Sequence, residues 1–216
     1  MSEYTGAVHP GGPIAVRELP GLTISKCSVG SMDNNAYLLV SAGDGLLIDA
    51  AAEPGRLVEL IGAVPVRTIV TTHRHGDHWQ ALAETASRTG AQLVAQTLDA
   101  PSLPVPVTRT VENGDTVDVG SVSLSVIHLR GHTPGAIALR YDDPAGHPHL
   151  FTGDSLFPGG PGGTGNPRDF TSLMDDLEAR VFDVLPDETW VYPGHGNDTT
   201  LGAERPHLAE WRARGW

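Results

Sequence analysis

The stretch Thr71-Thr72-His73-Arg74-His75-Gly76-Asp77-His78-Trp79 decides the fold of this chain and the chemistry that it can support. Three imidazoles and one carboxylate follow residues 66–71, an apolar run typical of a buried strand. Loops at strand ends commonly carry binding and catalytic groups, because the sheet behind them holds their backbone. Imidazole nitrogen and carboxylate oxygen are ligands that zinc and other first-row divalent metals prefer. The stretch therefore predicts a metal site.

Further candidate ligands follow other β-like runs, each beside a glycine. They are His132 in Gly131-His132-Thr133-Pro134-Gly135, Asp154 in Thr152-Gly153-Asp154, and His195 in Pro193-Gly194-His195-Gly196. With the first stretch they make five histidines and two aspartates: His73, His75, Asp77, His78, His132, Asp154 and His195. Seven ligands are enough for two metal ions if one carboxylate bridges them.

Composition limits the classes of protein that this chain can belong to. Its 216 residues include 14 Lys or Arg and 26 Asp or Glu, which give a formal net charge of -12. This excess of acid argues against nucleic acid as a partner, because nucleic-acid affinity relies on cations that neutralise phosphates. The single cysteine, Cys27, excludes an internal disulfide and a thiolate metal cluster within one chain. The N-terminus lacks the pattern of a signal peptide, and no apolar run is long enough to span a membrane, so we expect a cytoplasmic protein.

The hydrophobic pattern predicts an irregular N-terminal arm over residues 1–20 and one catalytic domain over residues 21–216. Short β-like runs lie in residues 22–49, 66–71, 91–95, 116–152 and 189–192, and helical spacing covers residues 54–63, 77–88, 172–184 and 198–214. Two sheets packed face to face with helices outside would fit this order. A single parallel α/β sheet is the rival interpretation.

The order of these motifs resembles that of the metallo-β-lactamase superfamily, and within it most resembles the glyoxalase II-like (hydroxyacylglutathione hydrolase-like) metallohydrolases. The motifs are His-X-His-X-Asp-His, Gly-His-Thr-Pro-Gly, Thr-Gly-Asp and Pro-Gly-His-Gly. The resemblance extends over nearly the whole chain, from Asn34-Asn35-Ala36-Tyr37 and Leu47-Ile48-Asp49 to His195. It implies an αββα sandwich of two mixed β-sheets with helices on the outer faces.

The resemblance also implies a role for each candidate. His73, His75 and His132 would hold one metal, Asp77, His78 and His195 a second, and Asp154 would bridge the two, with Asp49 supporting the site by hydrogen bonding. We expect two divalent ions, zinc first, with iron or manganese as alternatives. Asp77 would have a catalytic role as well, holding a metal-bound hydroxide in line for attack.

The implied activity is the hydrolysis of a thioester, an acyl conjugate of a small thiol, because a thiolate leaves without strong acid catalysis. The partner would be a small molecule, and the protein a monomer or a homodimer. A lactonase or ester hydrolase with the same site is one alternative, and a mononuclear iron enzyme similar to persulfide dioxygenases is another. The sequence ends soon after His195, without the basic helical region of full-length glyoxalase II enzymes, which argues against glutathione as the thiol.

Two arginines lie near these motifs, and the motifs themselves do not assign them a role. Residues 157–170 are rich in glycine and proline, and we interpret them as a mobile lip that offers Arg168 to the substrate. Arg130 precedes Gly131 in the second motif and either contacts substrate or forms a surface ion pair. We favour the ion pair.

Overall fold

Two β-sheets packed face to face form the centre of the protein in the computed structural model, which describes residues 4–215. The strands are β1 (Ala15–Leu19), β2 (Leu22–Val29), β3 (Asn34–Ser41), β4 (Asp44–Ile48), β5 (Val66–Val70), β6 (Gln92–Gln96), β7 (Arg109–Val111), β8 (Thr116–Val119), β9 (Val122–His128), β10 (Ile137–Asp142), β11 (Pro148–Gly153), β12 (Leu156–Phe157), β13 (Gly160–Pro161), β14 (Trp190–Pro193) and β15 (Thr199–Thr200). The α-helices are α1 (Pro54–Ile61), α2 (Leu82–Thr89), α3 (Pro167–Leu177), α4 (Leu201–Glu204) and α5 (Leu208–Arg214).

Both sheets are mixed. The first contains β1 to β7 in chain order, with β4 to β7 parallel and the other neighbours antiparallel. The second has the order β15-β14-β11-β10-β9-β8, and only its β11–β14 pair is parallel. Strands β12 and β13 form a separate two-stranded ribbon, most of which lies in residues 157–170, the segment that we interpreted as a mobile lip.

Apolar side chains fill three layers. Leu46 and Ile48 point between the two sheets, whereas Leu47 joins Leu57 of α1 in the layer beneath α1 and α2. A strand covered on both faces has a continuous apolar run rather than an alternating one, and β4 shows this pattern. On the far side, Leu173 of α3 packs on the outer face of the second sheet. The predicted αββα sandwich is confirmed, and the single parallel sheet is wrong.

Part of the predicted N-terminal arm is not irregular. Within it, β1 pairs with β2 in antiparallel register from Ala15 opposite Lys26 to Leu19 opposite Leu22. Because β1 lies at the sheet edge and is only half-buried on alternate residues, it lacks the apolar run that identifies a buried strand. Residues 1–3 of the arm lie outside the described residues, as does residue 216 of the predicted catalytic domain.

The helix predicted to begin at Ser172 begins earlier. Helix α3 has Pro167 in its first turn, and the Asn166 side chain caps it by accepting a hydrogen bond from the Asp169 amide. Thr171 does not cap the helix, because its hydroxyl donates to the Pro167 carbonyl inside the helix. A π-helical turn, Glu178–Phe182, continues α3.

Two other predicted helices are divided. In residues 77–88, a 3₁₀ turn (Gly76–His78) comes before α2, because the amides of Gln80 and Ala81 donate to carbonyls of residues 50–51 rather than to a helix. In residues 198–214, β15, α4, a 3₁₀ turn (Arg205–His207) and α5 follow one another. Pro206 lies in that turn and separates the two helices.

The topology brings several strand ends to one edge of the sandwich. The parallel strands β4 and β5 end before Asp49 and His73, and the parallel strands β11 and β14 end before Asp154 and Gly194. Ligands bind preferentially at such carboxyl ends in α/β folds. Separately, none of the helices in residues 4–215 is long and apolar enough to cross a membrane.

Candidate metal centre

A first set of potential ligands contains three histidines. The ring nitrogens of His73, His75 and His132 lie within 4.8 Å of one another. His73 follows β5, and His132 comes from the turn between β9 and β10, so the set draws on both sheets. His75 Nδ1 and His132 Nε2 are 2.8 Å apart, which directs both rings to the same point.

A second set contains Asp77, His78 and His195, whose ligand atoms meet the same 4.8 Å limit. The 3₁₀ turn after β5 supplies Asp77 and His78, and the loop after β14 supplies His195. His195 Nε2 lies 3.2 Å from His78 Nε2 and 3.3 Å from Asp77 Oδ2. This set also combines the two sheets.

Asp154 lies between the two sets. Its Oδ2 is 3.6 Å from His132 Nε2 and 3.9 Å from His73 Nε2 in the first set, and 3.3 Å from His195 Nε2 in the second. Its Oδ1 is 3.3 Å from His78 Nε2. One carboxylate therefore faces histidines of both sets, the position expected of a bridging ligand.

Two buried atoms at this junction lack a hydrogen-bond partner, namely His73 Nε2 and Asp154 Oδ1. Buried polar atoms in folded proteins are nearly always satisfied, so orphaned atoms need an explanation. A cation between the sets would coordinate both atoms, and the nitrogen and oxygen donors present match divalent metals of the first transition row. The residues fit a metal centre.

Steric crowding explains why glycine occupies position 194, directly before His195. A Cβ at Gly194 would clash with the Asp154 carboxylate and would lie 2.7 Å from the ring carbon Cε1 of His78. Only glycine lets the backbone after β14 approach the cluster this closely. Packing around the candidate ligands thereby explains the first glycine of the motif Pro-Gly-His-Gly.

The outer ring nitrogens of several histidines are also engaged. Asp49 Oδ2 lies 2.8 Å from His78 Nδ1, while Asp49 also accepts hydrogen bonds from the amide and hydroxyl of Thr72. His195 Nδ1 lies 2.8 Å from the Met32 carbonyl oxygen. Hydrogen bonding at one ring nitrogen fixes the tautomer and turns the other nitrogen inward, as is usual for metal-ligating histidines. Asp49 has the left-handed φ of 57°, a conformation that is uncommon among residues other than glycine and that clusters at functional sites.

The charges in the site favour a cation. Burial and the neighbouring His78 lower the pKa of His73 well below its usual value, which keeps the ring neutral and able to coordinate. Burial alone would lower the pKa of His78, but the carboxylates of Asp49 and Asp154 outweigh it and raise that pKa to about 10. Burial would also raise the pKa of Asp154, but the imidazoles of His195 and His78, each 3.3 Å away, outweigh it and lower that pKa instead. A metal ion would replace the protons that these carboxylates attract in the metal-free protein.

Asp99 and Asn34 contribute to the site but did not emerge from the sequence. Buried Asp99 accepts hydrogen bonds from the Arg74 amide, the Thr133 hydroxyl and the Gly135 amide, and so joins the loops of His75 and His132. Asn34 donates to Asp77 Oδ2 at 2.8 Å. Asp99 follows β6, so its position after a buried strand was a signal that could have found it.

Arg168 lies beside the site rather than in it. It is exposed on the first turn of α3 and lines a cavity of about 700 Å³ that His75 and His132 also border. Arg130 borders the same cavity, and its guanidinium binds Asp176 at 2.7 and 2.8 Å, so the predicted ion pair is confirmed.

Known proteins are similar to this chain in sequence and in fold. The chain is 37% identical over 169 residues to a hydroxyacylglutathione hydrolase from Fuscovulum blasticum, an alignment that covers 76% of this chain and 62% of that enzyme. It thus spans less than two thirds of that relative's length. The crystal structure of TTHA1623 in a di-iron-bound form matches with a TM-score of 0.72 and 32% identity, covering 82% of this chain and 95% of that one. ETHE1 from Myxococcus xanthus matches with a TM-score of 0.75 and 28% identity, covering 88% and 84% respectively.

The family model described as the metallo-beta-lactamase superfamily matches residues 29–195, the region from the end of β2 to the last candidate ligand. This match covers more than half of the chain and includes the six residues of the two sets and Asp154 between them. The chain belongs to the metallo-β-lactamase superfamily.

Proposed function

We propose that this protein is a metal-dependent hydrolase that cleaves a small-molecule thioester with two divalent ions, zinc in the first instance. The observation that carries the proposal is the position of Asp154, which faces histidines of both sets across distances of 3.3 to 3.9 Å. The similarity of the chain to a hydroxyacylglutathione hydrolase also supports thioester hydrolysis.

The ligands would divide as the resemblance to the family implies. One ion would be held by His73, His75 and His132, a second by Asp77, His78 and His195, and both by Asp154. Bound there, two divalent ions would supply Lewis acidity, which lowers the pKa of water and withdraws charge from a carbonyl oxygen.

Asp77 is the candidate catalytic residue of the chain itself. Burial would raise the pKa of its carboxyl group, but the hydrogen bond from Asn34 and the nearby His78 lower it, so the carboxylate remains ionised. An ionised Oδ2 held by the Asn34 amide can accept a hydrogen bond from an attacking water and so hold it in line. A thiolate then leaves without a general acid, which is why a thioester suits a site composed of histidine and aspartate.

A combined metal and activity measurement tests this function. Metal content is determined on the purified protein, and the same sample is assayed against a panel of thioesters and lactones. We expect two divalent ions per chain and turnover of thioesters ahead of lactones. A single iron per chain with oxygen consumption would overturn the proposed hydrolase activity. Faster hydrolysis of lactones than of thioesters would show that the protein is a lactonase instead.

His75→Ala tests the site assignment. Because His75 is exposed and at the mouth of the first set, its removal should abolish thioester turnover and leave the circular dichroism spectrum unchanged. His207→Ala is the matched control, since His207 is exposed on the surface next to Glu210. Turnover by His75→Ala at the rate of the control would show that the assigned residues do not form the active site.

A further inference from the structure

The cavity beside the first set of ligands reaches toward α3. Its volume is about 700 Å³, and the residues that line it include His75 and His132 of the first set and Arg168 of α3. Leu98 and Pro134 add an apolar surface to the wall. A ligand in this cavity would therefore have one end at the candidate metal centre and the other at the beginning of α3.

The cavity is cationic although the protein is strongly acidic. Three of the 14 basic residues, Arg74, Arg130 and Arg168, line it, and Asp169 is the one acidic residue in its described lining. Arg130 is neutralised by Asp176, which it binds through two nitrogens. The positive charge available to a ligand must therefore come from the other two arginines.

Arg74 and Arg168 are poorly neutralised. The Nε atom of Arg74 lies 3.9 Å from Asp99 Oδ1, beyond hydrogen-bond distance, and the oxygens of Asp99 already accept hydrogen bonds from the Arg74 and Gly135 amides. Within residues 4–215, Arg168 has no ion pair or hydrogen bond through its guanidinium. Asp169 is partly engaged, since its Oδ2 accepts a hydrogen bond from the Asn166 side chain.

We propose that Arg74 and Arg168 bind a carboxylate of the substrate, so that the enzyme selects thioesters carrying an acidic group a short aliphatic chain away from the scissile bond. The guanidinium group pairs with carboxylates through two parallel hydrogen bonds, which gives it both strength and direction. The apolar wall at Leu98 and Pro134 suits the connecting chain. This inference rests on the proposed thioester hydrolysis and names the substrate class for it.

Matched substrates test the selection on the metal-loaded protein. One pair is S-acetyl-3-mercaptopropanoate and S-acetyl-3-mercaptopropanamide, with the acidic group on the thiol. The other pair comprises the succinyl and succinamoyl thioesters of 2-mercaptoethanol, with the acidic group on the acyl chain. In at least one pair, we expect kcat/KM to favour the carboxylate by about tenfold or more, the scale of charge-assisted hydrogen bonds. The pair that shows the preference identifies the half of the substrate that the arginines bind.

Substitutions locate the preference. Arg74→Gln and Arg168→Gln should each reduce the carboxylate-to-carboxamide ratio several-fold. Arg88→Gln is the matched control, because it removes one positive charge from the surface of α2, where Arg88 pairs with Glu84, and it should keep the wild-type ratio. A ratio near one in both wild-type pairs, or a ratio retained in both cavity variants, would overturn the proposal.

A binding measurement separates this proposal from the proposed function. The thioether 3-(acetonylthio)propanoate and its carboxamide cannot be hydrolysed, and calorimetry gives their dissociation constants on the metal-loaded protein. If no thioester is turned over, the wild-type protein could still bind the thioether carboxylate more tightly than the carboxamide. Loss of that preference in Arg168→Gln would then support carboxylate binding in the cavity and refute only the proposed hydrolysis. Equal dissociation constants for the two thioethers would overturn the proposed carboxylate binding, whatever the enzyme hydrolyses.

Discussion

Replacing Asp99 with asparagine tests how the two loops of the first ligand set are held together. Asp99 is 1% exposed, and its carboxylate accepts from the Arg74 amide at 3.0 Å, the Gly135 amide at 2.9 Å and the Thr133 hydroxyl. Asparagine offers one accepting oxygen and one amide nitrogen that only donates. In either orientation of the new side chain, one backbone amide therefore faces a donor where it had an acceptor.

The structure sets the size of the effect. A buried donor left without an acceptor costs about 1–3 kcal/mol, so the free energy of unfolding of metal-free Asp99→Asn should fall by that amount. Arg74 stands between His73 and His75, and Gly135 lies three residues after His132, so relaxation of either contact moves a candidate ligand. Loss of such supporting contacts typically costs about 10–100-fold in metal affinity, and we expect a decrease of this order.

Urea unfolding followed by tryptophan fluorescence measures the first quantity, and competition with a chromophoric chelator measures the second. Asp118→Asn is the matched control, because Asp118 is exposed, accepts a hydrogen bond from Ser123 and carries the same charge. We expect its unfolding free energy to stay within about 0.5 kcal/mol of the wild type. If Asp99→Asn matched this control in both measurements, Asp99 would not hold the two loops together.

Two further predictions concern ion pairs away from the candidate ligands. Lys26 is fully buried and donates to Asp198 at 2.6 Å, so Lys26→Met should lower the free energy of unfolding by about 3–5 kcal/mol, and Lys26→Met/Asp198→Asn should recover part of the loss. Equal urea midpoints for these two variants would contradict this. Burial raises the pKa of Asp176, but hydrogen bonds from Arg130 outweigh it and lower that pKa, so the pair adds stability that is lost as the pH falls. Asp176→Asn should therefore lower stability at pH 7 and flatten its decline below about pH 5, whereas an unchanged decline would refute the assignment.

Local sequence was sufficient to predict the candidate ligands. Each of the seven follows a buried strand or the turn after it, so the apolar run and the polar residues after it are adjacent in the chain. The layers were predictable for the same reason, since strands buried on both faces produce continuous apolar runs such as that of β4.

Other features depend on contacts that are distant in sequence. Asp99 acts on Gly135, 36 residues away, and Asn34 acts on Asp77, 43 residues away, so no local pattern identifies their partners. Strand β1 depends on its pairing with β2 and has little apolar pattern of its own. The start of α3 was marked locally by Asn166 and the proline after it, but the preceding glycine-rich segment obscured this signal.

The two ligand sets are joined through the packing of the sheets. The loop that carries His195 belongs to the second sheet, yet the first sheet holds it: Asn35 and Tyr37 on β3 donate to the Pro193 carbonyl, and Lys26 on β2 donates to that of Gly196. A shift between the sheets would therefore move His195 relative to Asp77 and His78, and would move His132 relative to His73 in the same step.

Substitutions in the core between the sheets cannot, on this basis, affect one ligand set alone. Selective control of each set must come from the polar residues that act within it. Among the side-chain hydrogen bonds of residues 4–215, those of Asp99 join the loops of the first set, and those of Asn34 reach Asp77 and His195 of the second. These two residues, rather than the apolar layers, are where the properties of one candidate metal position can change without those of the other.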